Sequence, residues 1–166
     1  MSPDFWNILN AIGAVASATV AAIGISLVVI QLRATRKIAE ADLILRLEAE
    51  WVDHFSATYQ EFLPGAKWAP DGPGPTGKDE RVAIEEYLEF FATLSALIDK
   101  GLLPLALVDE MFAYRFFIAV NNPHTKDIVN ANKDFWPSLL RLYSDWSSYR
   151  RKRDAVVVNH HDGLLG

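Results

Sequence analysis

The chain opens on a long apolar run. Asp4 is the last charge before Arg33, so Phe5 to Leu32 is 28 residues without a formal charge. Ile8 to Leu32 alone is 25 residues, about 37 Å of helix against a hydrocarbon core of roughly 30 Å. Its 12 Leu, Ile and Val residues contribute roughly −4 to −7 kcal/mol toward insertion at typical per-residue values. Asn10 and Gln31 sit near the ends, where polar groups reach headgroups at little cost. The run therefore predicts an N-terminal flank and a single transmembrane helix within residues 1–32, the span itself being Ile8–Leu32. A cleaved signal peptide would carry a basic start and a small-residue site after the apolar run. Here the start carries Asp4, and Ala14-Val15-Ala16 and Ala16-Ser17-Ala18 lie inside the run.

The flanks set an orientation. No Lys or Arg precedes the run, whereas Arg33, Arg36 and Lys37 follow it closely. The positive-inside rule then expects the N-terminus outside an inner, cytoplasmic membrane and residues 33–166 in the cytoplasm. Trp6 is expected at the outer interface. One face of the run is slim. Ala14, Ala18, Ala22 and Ser26 repeat every four residues, with Gly13, Ser17, Ala21 and Gly24 on an adjacent stripe. Small residues at this spacing let helix backbones approach closely in lipid. The stripe is the candidate helix–helix face; the plainer reading is that alanine is common in membrane helices.

Beyond the run the pattern becomes amphipathic. No Pro or Gly interrupts Ile25 to Leu63, which predicts that the helix continues as a juxtamembrane segment over 33–63. Ile38, Leu45, Val52 and Tyr59 recur every seven residues, and Ile44, Leu47, Trp51, Phe55 and Phe62 widen that stripe. A broad apolar face packs on its own domain, and a narrow seam makes a coiled coil. The width favours internal packing, with a parallel oligomer of stalk helices as the alternative. Pro64 to Gly77 holds four Pro and four Gly, which predicts an exposed loop over 64–78 with Trp68 tacking it to a surface.

Helical patterning resumes over 79–153. Val82, Tyr87, Leu88, Phe91, Leu94, Leu97 and Ile98 give one face of a helix from about Asp79 to Lys100, with Gly101 as its stop. Pro104 starts a third helix reaching about Val120, and Asn122-Pro123 caps a short fourth one. Asp134 and Pro137 open the last helix, which ends near Arg153. The tail 154–166 is expected to be loose; Val156-Val157-Val158 is the one strand-like run, so the fold class is all-α.

Composition narrows the partners. A net charge of −5 argues against a general nucleic-acid binder. The absence of cysteine removes disulfides, thiolate metal sites and cysteine nucleophiles. Gly72 to Asp79 matches the G-x-x-x-x-G-K core of a phosphate loop. Yet Pro73 and Pro75 lack the N–H groups such a loop needs, and Asp79 stands where a hydroxyl should bind magnesium. His54, His124, His160 and His161 show no metal-ligand spacing on a helix. Glu85, Glu86 and Glu89 read as a solvated helix face. Arg115, beside Tyr114 in an apolar run, requires an acidic partner such as Asp109, Glu110 or a residue of the second helix. It is the candidate structural ion pair, with a ligand-binding arginine as the alternative. Arg150 to Arg153 is a basic helix end that either complements the dipole or meets anionic lipid. No catalytic residue, cofactor or metal is expected.

Taken together, several features resemble an uncharacterised bacterial domain-of-unknown-function family with one N-terminal span and a helical cytoplasmic domain. They are the run into Gln31-Leu32-Arg33, Phe90-Phe91, Gly101-Leu102, the segment Glu110-Met111-Phe112-Ala113-Tyr114-Arg115, and Trp136. The resemblance implies topology and a helical fold, and no established activity. The expectation is a membrane-tethered helical interaction module without catalysis, partnered by the bilayer and by a second copy or another membrane protein. A small-molecule receptor or enzyme with a pocket near Tyr114 and Arg115, and a defence- or toxin-type membrane effector, are the alternatives.

Overall fold

The computed structural model describes the backbone of residues 3–153, and side chains at residue 21 and from residue 24 to residue 153. Among the described residues five α-helices stand in order: α1 Pro3–Gln60, α2 Lys78–Asp99, α3 Leu105–Val120, α4 Pro123–Ala131 and α5 Pro137–Lys152. A 3₁₀ turn, Lys133–Phe135, precedes α5. No strand occurs among the described residues. The chain divides into two units, Met1–Leu43 and Ile44–Gly166, so the division falls inside α1.

In the first unit, Ile25, Leu27, Val28, Val29, Ile30 and Leu32 are all exposed, and Arg36 pairs with Glu40 at 2.7 Å one turn on. Among the described residues no helix is long and apolar enough to cross a membrane. The span expected over Ile8–Leu32 falls largely on residues whose side chains lie outside the described ones. So do Trp6, Gly13, Ala14, Ser17, Ala18 and Ala22 of the flank and slim face. Ala21, Gly24 and Ser26 are exposed. The 154–166 tail, with His160 and His161, also lies outside.

The second unit is built on aromatic packing. In α2, Ile84, Tyr87, Leu88, Phe91 and Leu94 are buried at three- and four-residue steps, the signature of one helix face. The α2 start is held by Glu80, which accepts the Thr76 N–H at 2.8 Å. Its end is a Schellman turn. Gly101 (φ +66°) lets its own N–H reach Ile98 at 2.9 Å and the Leu102 N–H reach Leu97 at 3.0 Å. α3 is apolar nearly all round, and Phe116 to Val120 are all buried, as befits a central helix. Phe116 joins the layers, with its ring 5.0 Å from Phe91 and stacked 4.8 Å from Trp146 of α5. Asn122 caps α4 by accepting the His124 N–H at 2.9 Å, and Pro123 fills the first turn. The last helix begins at Pro137; Asp134 stands in the preceding 3₁₀ turn.

Two readings of the apolar pattern need correction. The stripe expected to pack as one face of α1 is two stripes. Ile44, Leu47, Trp51 and Phe62 are buried, while Ile38, Leu45 and Val52 are 70 %, 63 % and 48 % exposed. Each residue of an α-helix is turned about 100° from the last, so Ile44 and Leu45, or Trp51 and Val52, cannot share a face. Burial of the wider stripe leaves the heptad positions Ile38, Leu45 and Val52 outside, while Tyr59, the fourth, is half-buried against Trp51.

The Pro/Gly segment is likewise not a purely exposed loop. Trp68 is 4 % exposed, Ala69 and Gly74 are buried, and the Trp68 ring lies 5.5 Å from Phe62. Successive turns fold it. The Trp68 N–H bonds the Glu61 carbonyl at 2.9 Å, and the Gly74 N–H bonds Lys67 at 3.1 Å. Asn122 Nδ2 then donates to the Trp68 carbonyl at 2.7 Å, which satisfies a buried acceptor and ties the segment to the end of α3.

Candidate functional site

Arg115 leaves α3 toward α1. Its two terminal nitrogens bond both oxygens of Glu48, at 2.6 and 2.9 Å. The guanidinium carbon lies 3.8 Å from the centre of the Trp51 ring and 5.5 Å from that of Phe112. This is bidentate recognition combined with a cation–π face, the geometry in which arginine differs most from lysine. Tyr87 completes the surroundings by donating its hydroxyl to the Arg115 carbonyl at 3.0 Å. Burial pushes the Tyr87 phenol far above its ordinary range. The half-buried Tyr59, edge-on to Trp51 at 5.4 Å, is also raised, chiefly by desolvation. Tyr114 is exposed.

The expected partners of Arg115 are therefore corrected. Glu48 of α1 takes the place proposed for Asp109, Glu110 or a residue of α2. Asp109 serves another contact, accepting from Trp146 Nε1 at 2.7 Å and from Arg150 at 3.0 Å, and so joins α3 to α5. Arg150 also lies over Phe117. Within the basic cluster, then, Arg150 is a packing residue, whereas Arg151, Lys152 and Arg153 are exposed.

Lys67, Thr76 and Glu80 form a polar knot at the Pro/Gly segment. Lys67 Nζ contacts both Glu80 and the Thr76 hydroxyl. The Lys67 hydrogen bond, then the Thr76 N–H, hold the Glu80 carboxyl down to about 2. Gly74, at φ +76°, lies so near the His124 imidazole that there is no room for a Cβ at this position. The Lys67–Glu80 pair thus closes one side of the Gly72–Asp79 segment, whose own lysine, Lys78, is exposed at the first position of α2. Among the described residues no group of three or more His, Cys, Asp or Glu is placed to hold a metal ion.

A cavity of about 400 Å³ opens between α1 and α2. Leu47, Phe55 and Phe90 form its floor, and Glu50, Glu86, Glu89, His54 and Thr93 its rim. Sequence patterning assigned Glu86 and Glu89 to a solvated face and missed this groove. The signal was divided between two helices, with Glu50 and His54 on α1. No protein-family model matches the chain, and no curated protein or solved structure matches it either.

Proposed function

We propose that this chain is a membrane-tethered helical assembly module without catalytic activity. One observation carries the reading: the apolar surface left outside on α1. Ile25 to Leu32 exposes six large apolar side chains, and Ile38, Leu45 and Val52 follow at seven-residue spacing. Isolated exposed apolar residues are ordinary, but a succession of them marks a surface that is covered by lipid or protein. The uncharged run Phe5–Leu32 supplies the lipid-facing part, and the basic residues Arg33, Arg36 and Lys37 orient it with the helical domain on the cytoplasmic side. The heptad row supports side-by-side pairing of α1 helices, and the slim face from Gly13 to Ser26 supports close approach within the bilayer. The family likeness carried by Phe90-Phe91 and by Glu110 to Arg115 belongs to the same proposal, because it implies this topology.

The Arg115 guanidinium is engaged by Glu48 and Trp51, so no observation favours a ligand at Tyr114 and Arg115. Membrane fractionation and site-directed cross-linking test the proposal in native membranes. The chain is expected to resist carbonate extraction, and cysteines introduced at Leu45 or Val52 are expected to cross-link to a second copy or to a membrane partner. A strictly monomeric chain, or one released by carbonate, overturns it.

A further inference from the structure

The groove between α1 and α2 has a chemistry that nothing in the fold consumes. Its floor is apolar: Leu47 and Phe90 are buried, and the Phe55 ring lies 5.3 Å from Phe90. Its rim carries Glu50, Glu86 and Glu89, all exposed, and none of them pairs with a cation among the described residues. His54 also stands on the rim. Elsewhere in this unit the carboxylates beside apolar surface are neutralised: Glu48 by Arg115, Asp109 by Arg150 and Glu80 by Lys67. Three unpaired carboxylates around an apolar floor are complementary to a cationic occupant.

Shape restricts that occupant further. From Leu47 to Phe55 the groove follows about 12 Å of α1, or roughly two helical turns. That length matches a helix laid into a groove by apolar residues one turn apart. A lipid surface does not fit, because the inner leaflet is anionic and the rim repels it.

We propose that this groove docks a basic amphipathic helix of a partner protein. Its apolar side chains enter over Leu47, Phe55 and Phe90, and its flanking Lys or Arg residues meet Glu50, Glu86 and Glu89. The site is separate from the exposed row on α1, so it stands or falls independently of the assembly reading.

The test uses the full chain in phosphatidylcholine nanodiscs, with empty nanodiscs as the blank. The probe is a fluorescein-labelled 18-residue Leu/Lys amphipathic helix, and its Leu/Glu counterpart is the control. Anisotropy is expected to show salt-sensitive binding of the Lys peptide alone. Replacing the rim as E50Q/E86Q/E89Q is expected to weaken it about tenfold at low salt, in line with three partly solvated ion pairs. The charge-matched variant D79N/E110Q/D145N is expected to stay within about twofold of the parent chain. Thr93→Arg, which lays a cation across the rim from within, is expected to compete with the probe without touching the core. Equal loss in both triple variants, binding of the Glu peptide, or absence of binding overturns the proposal. Self-association that depends on Glu50, Glu86 and Glu89 overturns it too, in favour of a second copy as occupant.

Discussion

Arg115 lies 3.8 Å above the Trp51 ring while gripping both carboxylate oxygens of Glu48, so one guanidinium joins α3 to two successive turns of α1. Removing one partner leaves the other charge poorly solvated, at a cost of about 1–3 kcal/mol. Glu48→Gln and Arg115→Met are each expected to destabilise by that order, and the double variant by less than their sum. Urea denaturation of the four chains reads the coupling directly. Additive effects would mean that the contact contributes nothing.

Two ion pairs in the same unit differ in burial and are expected to differ in weight. Asp109 and Arg150 are less than one-fifth exposed, and Asp109 also accepts from Trp146. Arg141 and Asp99, at 2.9 Å, are largely solvated. Asp109→Ala is expected to cost about 2–4 kcal/mol, and Asp99→Ala less than about 1 kcal/mol. Thermal unfolding of both variants should separate them clearly.

Gly74 combines a left-handed backbone with a close neighbour. A Cβ there would lie 2.6 Å from His124 Nδ1, while one at Gly77 would meet nothing within 4 Å. Gly74→Ala is expected to destabilise by about 1–3 kcal/mol, whereas Gly77→Ala should be close to neutral. Comparing their melting temperatures checks the claim, and a harmless Gly74→Ala would refute it.

Glu80 gives the Pro/Gly segment an acid sensitivity of known sign. Its carboxyl is held at about 2, below its ordinary value of 4.5. A depressed carboxylate contributes stability that is complete above the unfolded value and fades as pH falls through the folded one. The contribution of Glu80 is therefore expected to decline from about pH 4.5 to about pH 2. In Glu80→Gln that part of the pH dependence should vanish, as read by urea denaturation at a series of pH values. An unchanged pH profile would exclude Glu80 as its source.

Local rules carried much of the fold. Asn122-Pro123 announced the α4 cap, Gly101 the end of α2, and Pro137 the start of α5, because each feature is decided within a few residues. The α1 faces were harder. Periodicity shows that Leu45 and Val52 share a stripe, and that Ile44 and Trp51 share another, but not which stripe finds a partner. Trp68 does tack its segment down, but the burial of the segment around it was hidden for a related reason. Proline and glycine exclude regular structure without excluding burial, and the Asn122 bond that seats the segment spans 54 positions. Glu48 and Arg115 are 67 residues apart, beyond any pattern read along a single helix.

The placement of Glu48, Trp51 and Phe55 on α1, with Phe62 in the turn just after it, also decides how this protein can be taken apart. Pro64 looks like the natural seam for a fusion or a domain transplant. A cut there would strip the aromatic layer of Trp51, Phe55, Tyr59 and Phe62 and leave Arg115 a cation without its counter-ion. The chain's own division falls after Leu43, in the middle of an unbroken helix, where composition offers no punctuation at all.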